Sequence, residues 1–480
     1  MFPQQGAQAT QKYQRQWGED VVAKFRRLSG PLQRIALLFF ALAALANVAP
    51  SQSQSLSSND SPLSLLDLYQ IARDDDPNIS IARFRVDGAM ARRDVARSKN
   101  FPQVSLFGDW SRNNVNYEGD ALSQIPSQNY SGERYGVQLR SPLFNVRNYR
   151  EYERQSALVG QSEEQLAVAE AELLSQVIEA YLMVVLTEET VTQVESELSA
   201  LERQLEEAEA LYAKSLLPVT QVLETQTRTD ALRADVLNAR GRAAVARERL
   251  TQLVGIRDIK LQTVTDRFVL LTGVQDAESA AKLAVEFDPA TNAAQEAVVA
   301  ARRGVDREKG SWLPEIDFVY SSQYSDVGFD NLTSPPRDTH YYSISMRYPL
   351  FEGGAGAARL RGAWAEFYTA QQELEATQRE AGGRARAAWV NLQSATERVQ
   401  AIRQGVKTAE TNLAASEKAV KAGTARLTDV LLALAQKTRA QRDLNEARFQ
   451  RAMSWLELEL ATGADPVALA PRLSNALHGY

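Results

Sequence analysis

The sequence predicts a mainly α-helical chain that carries a pair of β-hairpins and is built as two copies of one unit: helix, hairpin, long helix, helix. Three observations predict it. Landmarks recur in one order at a nearly constant offset, two proline-free stretches of about 67 residues have helical chemistry, and two segments alternate apolar with polar residues. Such self-similarity decides the architecture before any single element is assigned.

The landmarks are specific. Asp76-Pro77-Asn78 recurs as Asp288-Pro289-Ala290, and Phe101-Pro102-Gln103-Val104 as Leu313-Pro314-Glu315-Ile316, with the prolines 212 positions apart in both cases. Ser141-Pro142-Leu143-Phe144 answers Tyr348-Pro349-Leu350-Phe351 at 207 positions. Thr220-Gln221-Val222-Leu223 answers Thr428-Asp429-Val430-Leu431, and Leu253-Val254-Gly255 answers Ala461-Thr462-Gly463, both at 208. The first repeat therefore spans 64–255, a linker at the waist 256–275, the second repeat 276–463, and a tail 464–480.

Ahead of the repeats, Arg26, Arg27 and Arg34 precede an apolar run from Ile35 to Ala46, then a polar stretch. That is the layout of a signal peptide with a long basic leader, over 1–46. Twelve helical residues span roughly 18 Å against a hydrocarbon core of ~30 Å, so a permanent anchor is the weaker reading and a buried N-terminal helix the plainer one. No later stretch reaches 18 consecutive apolar residues.

Each repeat opens with a helix, about 78–100 or 290–312, that stops before Pro102 or Pro314 because proline disfavours helical geometry in the preceding residue. The hairpins follow, about 103–143 and 315–349. Ile316, Phe318 and Tyr320 alternate with Glu315, Asp317 and Ser321, and Ile344, Met346 and Tyr348 with Ser343, Ser345 and Arg347. Val104, Leu106 and Trp110 alternate with Gln103, Ser105 and Asp109, and Tyr135, Val137 and Leu139 with Gly136, Gln138 and Arg140; Phe107 breaks the polar face. Period two puts one apolar and one polar face on each strand of about 10–12 residues. The tips, about 116–133 and 327–340, are rich in Asn, Asp, Ser, Pro and Gly. The long helices are expected at 147–213 and 355–421, with weak points at Gly160 and Gly382-Gly383, and the closing helices at 219–255 and 427–463. Interleaved Ala, Leu and Val with Glu, Arg and Gln is coiled-coil chemistry, and charge runs such as Glu195 to Glu209 read as solvated faces.

Composition removes most alternatives. The chain has no cysteine, and its two histidines are His340 and His478, so thiolate zinc sites, thiol nucleophiles and His-based metal clusters are not expected. A formal charge of −6 argues against a nucleic-acid surface. No nucleophile with a base appears, and Gly353-Gly354-Ala355-Gly356 lacks the lysine of a phosphate loop. No catalytic residue, cofactor or metal site is therefore assigned.

Four strands of membrane-spanning length cannot close a barrel, and an open edge in lipid leaves backbone groups unpaired at several kcal/mol each. Three chains would supply twelve strands around an aqueous lumen, lined by Asp109, Gln138, Glu315, Asp317 and Arg347. Taken alone, each hairpin reads more readily as a soluble sheet having one wet face, and the helices are compatible with a soluble coiled-coil scaffold; two hairpins in equivalent repeat positions, behind a signal peptide and beside such long helices, favour the membrane reading.

On these residues the chain resembles the TolC-type outer-membrane channel family. The resemblance covers about 64–463, carried by Leu66-Asp67-Leu68-Tyr69-Gln70-Ile71-Ala72 leading to Asp76-Pro77, by Tyr348 to Gly354, and by Gly423 to Leu431. It implies a homotrimer in the outer membrane of a Gram-negative bacterium, with a twelve-stranded transmembrane barrel continued by a helical tunnel across the periplasm. The implied partners are lipid, a periplasmic adaptor protein and an inner-membrane pump, either an ABC exporter for type I protein secretion or, as the runner-up, a resistance-type drug pump. The implied docking tips are Ser215, Leu216, Leu217 and Pro218 in one repeat and Gly423, Thr424 and Ala425 in the other. Asp429 matches an acidic constriction position, where three carboxylates would favour cations; the plainer reading is a carboxylate at a helix N-terminus. The next acidic position of the family is Leu432 here, and its arginine falls one place later, at Arg426; Glu224 could supply charge from the first tip.

Overall fold

A computed structural model of the chain describes residues 63–115, 128–257, 259–261, 272–327, 333–422 and 424–478. The expected signal peptide, most of the linker, and Gly423 lie outside them. The first repeat consists of α1 (Leu65–Asp75), α2 (Pro77–Ser98), β1 (Gln103–Val115), β2 (Gln128–Phe144), α3 (Val146–Ala213) and α4 (Val219–Val254). The second runs through α5 (Ala277–Phe287), α6 (Pro289–Gly310), β3 (Glu315–Val327), β4 (Thr333–Arg347), α7 (Ala355–Lys421) and α8 (Leu427–Ala461), and α9 (Pro466–His478) follows.

The recurring Asp-Pro now has a physical reason. Asp76 is the N-cap of α2, its carboxylate accepting from the N–H groups of Asn78 (2.7 Å) and Ile79 (3.1 Å), and Asp288 caps α6 by accepting from Thr291 N–H (3.1 Å). Proline next to the cap loses nothing, because its missing N–H is one that no helix would satisfy. The same Asp-Pro ends a helix on its other side, so α1 and α5 turn sharply into α2 and α6. The sequence reading passed over α1, α5 and α9, and took the last of these for a tail.

The strands are longer than the 10–12 residues expected, at 13, 17, 13 and 15. The difference lies at the tips: 128–133 and 333–340 read as polar loop but continue β2 and β4, because ladder hydrogen bonds to a partner strand override local turn propensity. Pro335 and Pro336 are tolerated there because β4 is an edge strand. The two hairpins join into one antiparallel sheet of order β1-β2-β3-β4, through a β2–β3 pairing that links the repeats and leaves β1 and β4 with free edges.

The long helices are continuous, 68 and 67 residues, or roughly 100 Å at 1.5 Å per residue. Toward the sheet α3 packs between α2 and α6, and toward the far end between α4 and α8; α7 packs on α6 and α8. The glycine weak points do not interrupt either helix. A Cβ at Gly382 would stand 3.8 Å from Ala281 Cβ, an ordinary van der Waals contact, so the space between α5 and α7 would also take an alanine there. Along the α3–α4 seam Arg233 pairs with Glu202 (2.9 Å), Arg240 with Glu195 (2.7 Å) and Arg247 with Glu188 (2.5 Å), three ties at heptad spacing. The charge run that reads as solvated face is thus partly an inter-helix ladder.

The main core sits at the waist. Leu65, Leu68 and Tyr69 of α1 meet Leu174, Ile178 and Tyr181 of α3, Leu250 of α4, Trp455 of α8 and Leu469, Leu473 and Leu477 of α9, all nearly or fully buried. Ile259 and Leu261 of the linker pack against the same cluster. Burial raises the Tyr69 phenol to about 12. Long two-helix seams rich in alanine bury little area per residue, so this knot of large side chains is where hydrophobic burial concentrates. Among the described residues no helix is long and apolar enough to cross a membrane.

Candidate functional site

The residues singled out in the hairpins share one face. Cross-strand register sets Asp109 opposite Arg134, Gln138 opposite Ser105 and Ser321, Asp317 opposite Pro142 and Ser345, and Glu315 opposite Arg347. Because neighbours opposite one another in a ladder project to the same side, the face is continuous across the repeats. Two of its carboxylates are paired: Arg134 donates to Asp109 (2.6 Å) and Arg140 to Asp317 (2.5 Å), the latter joining β2 to β3. Arg134 and Arg140 are the partners that sequence reasoning did not assign, although Arg140 stood on the polar parity. Phe107, the break in the polar pattern, lies under the Arg134 guanidinium, 6.0 Å from ring centroid to carbon. Asp317, Ser321 and Ser325 are buried on this side.

The opposite face is apolar and bare. Leu106, Trp110, Tyr342, Ile344 and Met346 are exposed. Val104, Leu139, Tyr320 and Tyr342 form one row across all four strands. The Tyr135 and Tyr324 rings stack at 5.0 Å, and from that row outward the same side turns ionic, with Asp338 opposite Tyr324 and Glu133 and Asp326 beyond. A sheet with a polar face carrying ion pairs and an apolar face open to the surroundings is the reverse of a soluble hairpin packed on a core.

The far ends of the helices carry the two turns. At the first, α3 closes with Leu216 N–H donating to Leu211 C=O (2.9 Å) and Ser215 N–H to Tyr212 C=O (2.8 Å), which places Ser215 in the left-handed region at φ +60°. Pro218 is the cap residue of α4. At the second, Thr424 N–H donates to Ala419 C=O (2.9 Å), the same closing bond. Asp429 reaches back to accept from Arg426 N–H (2.9 Å). Glu224 pairs with Arg228 one turn on, at 3.2 Å. Asp429 and Glu224 are thus each held by their own helix, and the carboxylate at a helix N-terminus is what a single chain displays. Leu216, Leu223 and Leu432 are exposed beside them.

A third cluster, not anticipated, sits where the helices leave the sheet. Glu151 of α3 accepts from Gln155 (2.8 Å), Arg154 (3.2 Å) and Arg307 of α6 (2.9 Å). Burial opposes its ionisation, but these hydrogen bonds outweigh burial and hold its carboxyl at about 2. Arg307 also donates to the buried Glu308 (2.7 Å), which faces Arg359 of α7 (3.5 Å). No motif flags this network, because its members are separated by 156 residues. Among the described residues no group of His, Cys, Asp and Glu is arranged to hold a metal ion.

The family described as Outer membrane efflux protein matches residues 68–256 and 281–464, one segment per repeat. The chain is similar to Outer membrane protein TolC of Vibrio cholerae, 24% identical over 406 residues, which cover 83% of this chain and 90% of the relative. It is also similar to Alkaline protease secretion protein AprF of Pseudomonas aeruginosa, 24% identical over 409 residues and covering 84% of both. In fold it is similar to the crystal structure of the Campylobacter jejuni CmeC outer membrane channel, with a TM-score of 0.72 at 14% identity over 90% of this chain and 98% of that one.

Proposed function

This chain belongs to the outer membrane efflux protein family, and from that premise we propose that three copies assemble into an exit duct through which an inner-membrane pump and a periplasmic adaptor pass type I secreted protein. The observation that carries the reading is the four-stranded sheet with a bare apolar face and two free edges. Exposed to lipid, those edges would cost several kcal/mol per unpaired group, and closing the sheet with two further copies removes them. From the Ile316 row to the Tyr324 row the apolar face runs eight residues, about 27 Å along a strand at ~3.4 Å each, or roughly 20 Å in height at a tilt of ~40°, comparable to a barrel's apolar band. The polar face with Asp109, Gln138, Glu315, Asp317 and Arg347 would line the lumen, and the 100 Å helices would extend it into the periplasm.

In this assembly the two turns meet the adaptor, through Ser215 to Pro218 and Gly423 to Ala425, while Asp429, Arg426 and Glu224 narrow the entrance. Similarity to a protein named for alkaline protease secretion supports protein as the cargo. The duct performs no bond chemistry; its work is passive conduction, with selection left to the pump.

Membrane fractionation with gel electrophoresis of unheated and heated samples tests the assembly: a heat-sensitive trimer in the outer-membrane fraction is expected, and a soluble monomer refutes it. Deleting the gene tests the cargo, by loss of a protein from the culture medium against a gain in drug sensitivity alone. In planar bilayers Asp429→Ala is expected to weaken cation preference and divalent block, and unchanged conductance and block would remove the carboxylate ring.

A further inference from the structure

The two repeats part company at the waist end of their helix pairs. Asp76 and Asp288 hold the same place in each, buried at the head of α2 or α6 with the carboxylate accepting first-turn N–H groups. In the second repeat the facing long helix answers this charge, with Arg384 of α7 lying 3.6 Å from Asp288. The same position of α3, 208 residues earlier, is Gln176. Among the described residues no cation takes the part of Arg384 beside Asp76. A buried carboxylate held by cap hydrogen bonds alone favours a cation from outside the fold.

Beside Asp76, α2 and α3 border a cavity of about 280 Å³, close to the lower end of the range for small-molecule pockets. Its walls are peculiar to the first repeat. Ile79, Ile81 and Arg85 of α2 correspond at 212 positions to Thr291, Ala293 and Ala297, and Leu173 of α3 corresponds at 208 to Ala381. Because α2 climbs from the waist while α3 descends from the sheet, the cavity has two ends. Glu172 and Gln176 stand with Asp76 at the lower end, and Arg85 with Gln165 at the upper, nine residues along α2 or roughly 13 Å away. Ile79, Leu166 and Leu173 lie between. The side chains of Arg85 and Glu172 form no ion pair or hydrogen bond with another described residue.

We propose that this cavity binds a short peptide with free termini, its ammonium group on Asp76 and Glu172 and its carboxylate on Arg85. Opposite charges at the two ends fix the direction of the peptide, and the apolar middle takes aliphatic side chains. A single amino acid is too short, since its two charges flank one carbon. Three extended residues span at most about 10–11 Å, and the long side chains of Arg85 and Glu172 close the remainder. An amphiphilic cation would leave Arg85 unanswered, and an anion would meet two carboxylates at the lower end. Every group belongs to one chain, so the site is complete without a second copy. A bound peptide would bridge α2 and α3 just above the waist core, as the Arg384 and Asp288 pair bridges α7 and α6 in the second repeat.

Isothermal titration of the full chain in detergent tests the site, with Ala-Leu-Ala as the probe beside the same peptide acetylated at its N-terminus or amidated at its C-terminus. Saturable binding of the free peptide at one site per chain is expected, with each blocked form roughly fivefold weaker or worse. R85Q should erase the difference between the free and amidated peptides, and E172Q should shrink the difference between the free and acetylated ones. Q176R supplies the cation of the second repeat and should weaken the free peptide about tenfold or more, while the chain without peptide melts no lower than the wild type. The blocked peptides probe the wild-type chain, so a variant that fails to fold leaves the test intact. Absence of saturable binding by the free peptide overturns the proposal. Equal affinity for the amidated peptide makes the cavity a site for amphiphilic cations and overturns it too, and binding untouched in a folded Q176R chain places the peptide elsewhere.

Discussion

Replacing Glu151 with glutamine tests the seam that ties the two repeats together just below the sheet. In the wild type the carboxylate accepts hydrogen bonds from Gln155, Arg154 and Arg307, and the carboxyl is held at about 2 from an ordinary 4.5. A shift of about 2.5 units at 1.36 kcal/mol each corresponds to about 3 kcal/mol of folding stability. A carboxyl with a lowered folded-state value contributes that stability in full above its unfolded value and loses it as pH falls toward the folded one, so the window lies between about 4.5 and 2. Glutamine keeps the size and part of the hydrogen bonding but carries no charge and does not titrate. At neutral pH the variant is expected to melt roughly 3–6 °C lower in detergent at a fixed scan rate, scaling the usual degrees per kcal/mol down for a chain of 480 residues. As pH falls to about 2 and below the two melting points should converge. A gap that persists unchanged at that pH, or one under about 1 °C at neutral pH, would refute the claim that an ionised Glu151 holds the seam.

Three further outcomes follow from the geometry. Trp455→Ala removes the largest fully buried side chain at the waist and should cost about 3–5 kcal/mol, read as a lower denaturant midpoint and less folded protein in the outer membrane. Gly463→Ala forces a side chain into φ +80° with its Cβ 2.5 Å from Phe287, so a loss of about 2–4 kcal/mol is expected, with faster proteolysis beside α9; wild-type resistance would contradict the packing. Ser215→Gly relieves a left-handed serine, gaining about 1 kcal/mol after the entropy of glycine, and should slow hydrogen exchange at the first turn about fivefold without changing the second.

Much of the architecture was legible because its determinants are local. Asp76-Pro77 and Asp288-Pro289 are cap and first-turn residues within three positions of the groups they serve, Pro102 and Pro314 bar the helices that end at Ser98 and Gly310 from running on into the strands, and the alternation from Glu315 to Tyr320 is a property of consecutive residues. Duplication amplified these signals, since a weak landmark seen twice at one offset carries far more weight than one seen once. The polar-face residues were found by the same parity, with their order across the sheet left open.

What the sequence by itself determined, then, is the repeat, the order of its elements and the face on which each strand residue lies. The tertiary structure alone decided that the two hairpins pair through β2 and β3, that 128–133 and 333–340 are strand rather than loop, that Glu151 and Arg307 meet, and that α1, α5 and α9 knot the waist. These depend on residues up to several hundred positions apart, and on ladder hydrogen bonds and burial that outweigh local propensity once a partner is present. Ser215 shows the limit at the smallest scale: a serine gives no local sign of a left-handed turn, and the closing bonds of the helix end impose it.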